Sequence, residues 1–84
     1  MNPPMESPTD YRPIACDLHS EYELAIVQRR KLRLTWIEDN VTYNQAVLPT
    51  DLQTINHEEF LACRLESGEQ HRIRLDRIRS WTPA

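Results

Sequence analysis

Three histidines, two cysteines and thirteen carboxylates are the side chains of this 84-residue chain that could hold a metal or run acid–base chemistry. Their spacing supports neither. His19, His57 and His71 stand far apart, and no C-x-x-C or H-x-x-x-H pair brings two ligands onto one turn. The lone glycine, Gly68, leaves no glycine-rich loop to cradle a phosphate. No Ser, His and Asp can be grouped into a nucleophilic set from their positions. The chain is therefore expected not to be an enzyme, with no catalytic residue, no metal and no cofactor. Its histidines read as solvated surface residues. Cys16 and Cys63 read as free, half-buried thiols rather than a disulfide.

What remains is the chemistry of charge. Residues 1–27 carry five acids (Glu6, Asp10, Asp17, Glu21, Glu23) against Arg12, a balance of −4. Residues 28–84 carry nine bases and eight acids, a balance of +1, which accounts for the net charge of −3. Long-range charge steers encounters. The acids Asp17, Glu21 and Glu23 have two readings. Acids in a first helical turn stabilise the helix by about 0.3–1 kcal/mol each and need no partner. Alternatively they form a docking face for a basic surface. A second set, Arg72, Arg74, Arg77 and Arg79 with Trp81, could contact phosphates and stack a base. Its plainer reading is a solvated strand face balanced by Glu66, Glu69 and Asp76.

The elements that position these groups follow from periodicity. Residues 1–9 hold three of the six prolines and nothing to bury, and read as a flexible tail. They lack the basic and apolar regions of a secretory leader, which points to the cytoplasm. Tyr11 to Ala15 is extended, because Arg12 precedes a proline. Asp17, or Ser20 with Glu23 three residues on, caps a helix over about 18–29. Leu18, Tyr22, Ala25 and Ile26 form its apolar face. Leu24 and Val27 fall outside that stripe, so a second surface, either the Tyr11–Ile14 arm or a partner, is expected to meet them.

After Lys31 the period falls from 3.6 to 2. Leu32, Leu34 and Trp36 mark one strand, Asp39-Asn40 a tight turn, and Val41, Tyr43, Gln45 and Val47 a return strand over about 41–48. Pro49 to Asn56 reads as a connection, with a turn of helix at 51–54. Residues 59–65 and 70–75 form a further hairpin around Ser67-Gly68, with Leu61, Cys63, Leu65, Ile73 and Leu75 inward and Arg72 and Arg74 outward. Ile78 breaks that parity, so Asp76-Arg77 is a corner before a short strand at 77–81. One N-terminal helix and five short strands define a mostly β fold, a small bent antiparallel barrel capped by the helix.

Two stretches carry a resemblance to a known family. The first is Tyr11-x-Pro13-Ile14-x-Cys16-Asp17, followed by Glu23-Leu24-Ala25. The second is Gly68-Glu69, followed by Arg74-Leu75-Asp76-Arg77-Ile78. In these motifs, their separation and its length, the chain resembles the Rof family, the Rho-binding antitermination proteins of bacteria. The resemblance spans about residues 10–82 and implies a single Sm-like domain there. It implies that the protein binds the RNA-binding N-terminal domain of the transcription termination factor Rho. Occupying that surface would block RNA entry at the primary site and inhibit termination. Carried over by position, Asp17, Ser20, Glu21 and Glu23 at the helix start are the implied Rho contacts, with Asn56, near the end of the connection before the third strand, a further candidate. No direct nucleic acid or membrane partner is implied. The alternative is a single-stranded RNA-binding module using Arg72, Arg74, Arg77, Arg79 and Trp81.

Overall fold

The computed structural model describes residues 10–84, and the expected tail at 1–9 lies outside the described residues. A helix α1 (Cys16–Gln28) precedes the strands β1 (Leu32–Glu38), β2 (Val41–Ile55), β3 (Glu58–Arg64), β4 (Gln70–Arg74) and β5 (Ile78–Pro83). A 3-10 turn at Leu75–Arg77 separates the last two. The strands form one antiparallel sheet in the order β4-β3-β2-β1-β5. The fold is mostly β with one N-terminal helix, as the periodicity implies. β4 and β5 are its two free edges, so the bent sheet is an open one rather than a closed barrel.

The helix begins two residues earlier than an Asp17 cap would place it. Ala15 is the extended N-cap and makes no side-chain cap bond, which places Asp17 in the first turn and Ser20 inside the helix. Asp17 therefore acts on the helix through the dipole rather than as a cap. At the other end Arg29 turns left-handed (φ 55°). The Arg30 N–H then donates to the Ala25 carbonyl at 2.9 Å and the Arg29 N–H to that of Ile26 at 3.2 Å. This double closure satisfies two of the last carbonyls and turns the chain into β1.

β2 is longer than its pattern suggests. The expected connection at 49–56, with its helical turn, is instead the second half of the same strand. Residues 41–47 pair with β1, and residues 48–55 pair with β3. Between Pro49 and Asp51 the register shifts, leaving Thr50 as the extra residue. Pro49 sits where pairing passes from β1 to β3, a position that tolerates a missing donor. This bulge bends the sheet into two halves. Asp39-Asn40 (φ 51° and 63°) and Asn56-His57 (φ 51° and 68°) close the flanking hairpins with both central residues left-handed, the geometry that matches strand twist.

The inferred corner at Asp76-Arg77 is the 3-10 turn. A second irregularity follows it, because Thr35 faces Ser80 while Trp36 faces Ile78, so that Arg79 is bulged out. That bulge brings Ile78 and Trp81 to one face despite their unequal parity. The core is Tyr22, Ala25, Leu32, Leu34, Trp36, Val47, Leu61, Cys63, Ile73 and Leu75. It lies between α1 and the concave side of the sheet, with Tyr11, Ile14 and Leu18 packed at its border. Leu65, expected inward, lies just beyond β3 and is half-buried. Among the described residues no helix is long and apolar enough to cross a membrane.

Candidate protein-docking surface

The acids on α1 face water. Asp17, Ser20, Glu21 and Glu23 are all exposed, with Glu21 bordering Ala25 on one flank of the helix and Glu23 bordering Ile26 on the other. Asp17 and Glu21 have no hydrogen-bond or ion-pair partner among the described residues. Glu23 meets only the His19 ring, 4.0 Å away and one helical turn back. Asn56 is at the tip of the β2–β3 hairpin, remote in sequence, but the fold carries that tip toward the helix start. Glu59, three residues on, lies 3.8 Å from His19 Nε2. The structure thus puts the β2–β3 hairpin, at Glu59, against the helix at His19.

Glu59 itself was not legible as part of this end. It also accepts a hydrogen bond from Tyr11 Oη at 3.1 Å. Glu59 and burial together push the Tyr11 phenol well above its ordinary value, burial being the larger cause. Asp51, which borders the helix at Glu23 and Val27, was hidden for the same reason: both acids stood in or beside the stretch read as a connection. The strand-favouring residues Thr50, Thr54 and Ile55 on β2 were the available signal, masked by Pro49.

The arginine set is not assembled as expected. Arg72 is exposed on β4, but Arg74 does not point into solvent, its side chain being only 13% exposed. Asp76 grips it at 2.7 Å, Asp10 at 2.8 Å and Glu58 at 3.5 Å. The reason is the corner, which folds Asp76 back onto the strand it follows. Arg77 lies 3.7 Å from Asp10. Arg79 Nη1 donates to the Asp76 carbonyl at 3.1 Å from the bulge on β5. Trp81 packs on the core side of β5, at the opposite sheet edge from β4. Arg72, Arg74 and Arg77 do share a cleft of about 200 Å³ with Trp36, Glu38, Asp39 and Phe60, but its charge is mixed.

Two of the histidines are only partly solvated. His71 Nε2 lies 3.0 Å from Glu38 Oε1 and its ring tilts toward Trp36, while His19 is wedged between Glu23 and Glu59. Each is about one-third exposed, at 31% and 33%. Trp36 in turn stacks on Tyr43 with ring centroids 5.3 Å apart. Both cysteines are free, Cys63 buried and Cys16 exposed. Among the described residues no three His, Cys, Asp or Glu side chains are grouped to hold a metal.

No protein-family model matches the sequence, and a search of curated proteins finds no match. Among solved structures the chain is similar to part of the proteasome accessory factor B/C (PafBC) of Arthrobacter aurescens, with a TM-score of 0.72 and 21% identity. The match covers 88% of this chain and 12% of that one. At that identity the likeness concerns the fold: a helix-capped, bent antiparallel sheet of this kind also occurs as a small piece of a much longer protein.

Proposed function

We propose that the chain is a non-catalytic inhibitor of Rho-dependent termination. It docks its α1 face on the RNA-binding N-terminal domain of Rho and denies RNA the primary site. One observation carries this reading: the acids of α1 are unspent. Asp17 and Glu21 have no partner among the described residues, whereas Arg74, the centre of the arginine set, is held by Asp76, Asp10 and Glu58. An exposed, unpaired carboxylate is free to meet the cations of a phosphate-binding groove. The Tyr11–Asp17 and Gly68–Ile78 motifs support Rho as the owner of that groove.

The test is binding to purified Rho, with and without single-stranded RNA as competitor. The double reversal Asp17→Lys/Glu23→Lys is expected to weaken Rho binding by about tenfold or more while leaving thermal stability intact. Added salt is expected to weaken the wild-type complex, because exposed charges carry the encounter. Unchanged affinity after the reversal would reject the acidic-face mechanism. Tight binding of RNA by this chain alone would favour the Arg72–Arg77 cleft instead.

A further inference from the structure

The outer face of α1 carries a second chemistry beside its acids. Leu24 is 46% exposed and Val27 is 79% exposed. With Ser20 and Glu23 they recur at i, i+3, i+4 and i+7, so all four share one face. The Tyr11–Ile14 arm does not cover them, since Tyr11 and Ile14 pack against the core instead. Next to Val27, the half-buried Ile26 and Leu52 continue the apolar surface as a shallow groove of about 260 Å³, bordered by Glu23 and Asp51. Every charged residue lining that groove is an acid. A single exposed Leu is ordinary on a protein surface. Here two successive turns and the adjoining groove make one apolar strip, edged by Glu23 and Asp51 on the Val27 side and by Glu21 and Arg30 on the Leu24 side.

Such a strip fits a particular kind of partner surface. Grooves that hold single strands combine cations that track the phosphates with aromatic side chains on which the bases stack. A protein that met only the cations would leave those aromatic faces bare. We propose that Leu24 and Val27 cover an aromatic base-stacking platform of the partner groove, while Asp17, Glu21 and Glu23 take its phosphate-binding cations. The inference rests on the Rho reading above and specifies what the helix does there. It substitutes for both halves of a nucleotide, apolar side chains for the base and carboxylates for the phosphate. Ser20, small and set between them, lets the helix approach closely.

The experiment compares two kinds of variant for binding to purified Rho across a salt series. Leu24→Ser/Val27→Ser removes apolar area at constant charge. It is expected to weaken binding by about tenfold or more, with the salt dependence unchanged. Val27→Thr, which keeps the branched shape on an exposed position, is expected to weaken binding in the same direction by a smaller factor. Asp17→Lys/Glu23→Lys is expected to weaken binding and flatten the salt dependence. If both apolar variants bind as wild type while the charge reversal does not, the platform is overturned and docking by charge stands. If all three bind as wild type, the docking face itself is overturned.

Discussion

Arg74 meets Asp76 at two points: Nε lies 2.7 Å from Oδ1, and Nη2 lies 2.9 Å from Oδ2. Arg74 ends β4 and Asp76 lies within the corner that follows, and their side chains are only 13% and 11% exposed. Asp76 also accepts a hydrogen bond from the Arg12 N–H at 3.1 Å. Asp10 adds to the same guanidinium, and the Tyr11 ring lies under it at 5.7 Å. One charge pair therefore holds the N-terminal arm against the sheet. The arm runs directly into α1, so this pair helps set where the helix starts. It lies within the Arg74-Leu75-Asp76-Arg77-Ile78 motif, which thereby acquires a physical role.

Replacing Arg74 leaves Asp76 largely buried without its partner. Arg74→Ala is expected to cost about 2–3 kcal/mol in urea unfolding. Arg74→Lys should recover only part of that, because an ammonium cannot reproduce the two-point contact.

Asp10 gives the arm an acid-sensitive element. Its carboxyl is held below the ordinary value of 3.8, chiefly by the hydrogen bond from Arg74 and then by that residue's charge. A depressed folded-state value means the contribution is present above 3.8 and is lost as pH falls through the lowered value. Asp10→Asn should therefore flatten the acid limb of a stability–pH curve below about pH 4 and leave the neutral region with the same slope.

Tyr22 is wholly buried, and its hydroxyl has no partner among the described residues. Burial pushes the phenol from 10.0 up to about 12. Tyr22→Phe removes the unsatisfied oxygen and keeps the ring. Stability at neutral pH is expected to be unchanged or to rise by up to about 1 kcal/mol. The neutral phenol is the form the fold prefers, so its contribution is intact below 10.0 and fades as pH rises toward 12. The Phe variant should lack that part of the alkaline loss, as read by chemical denaturation.

The two thiols should separate by reactivity. Burial, with a smaller contribution from Glu38, raises Cys63 from 9.0 to about 11, whereas Cys16 is exposed. A thiol reagent at pH 8 is expected to modify one cysteine quickly and the second only on unfolding. Mass spectrometry of the modified protein should place the fast site at Cys16.

His57 occupies a left-handed position (φ 68°) at the β2–β3 turn. A non-glycine residue bears a steric cost there that glycine does not. His57→Gly is expected to raise stability by about 0.5–1 kcal/mol in thermal or urea melts. Binding to Rho should be unaffected, since the neighbouring Asn56 is retained.

Much of the fold could be read along the chain because the signals were local. Leu32, Leu34 and Trp36 alternate without interruption, so their strand and its inward face were plain. Asp39-Asn40 and Ser67-Gly68 announce turns through residues that tolerate left-handed backbone. The parity break before Ile78 located the corner. Pro49 misled, because a proline inside a run ordinarily ends a strand, whereas here it marks the point where β2 changes partners. Whether that point is a loop or a bulge depends on β3 lying alongside, which no local pattern states.

The site divides along the same line. The sequence by itself determined that the acids of the N-terminal third collect on one helix, and that Leu24 and Val27 fall off its buried stripe. Helical geometry follows from residues a few positions apart, so these properties needed no tertiary information. Only the tertiary structure decided which charges remain available. Asp10, Glu58 and Asp76 converge on Arg74 from three separate segments and consume it, while Asp17 and Glu21 are left facing water. It also decided that Glu59 meets the helix at His19, because the bent second strand carries β3 back there. Ion pairing and exposure depend on distances across the fold, and those distances are set by the bulge at Thr50 and the corner at Leu75–Arg77.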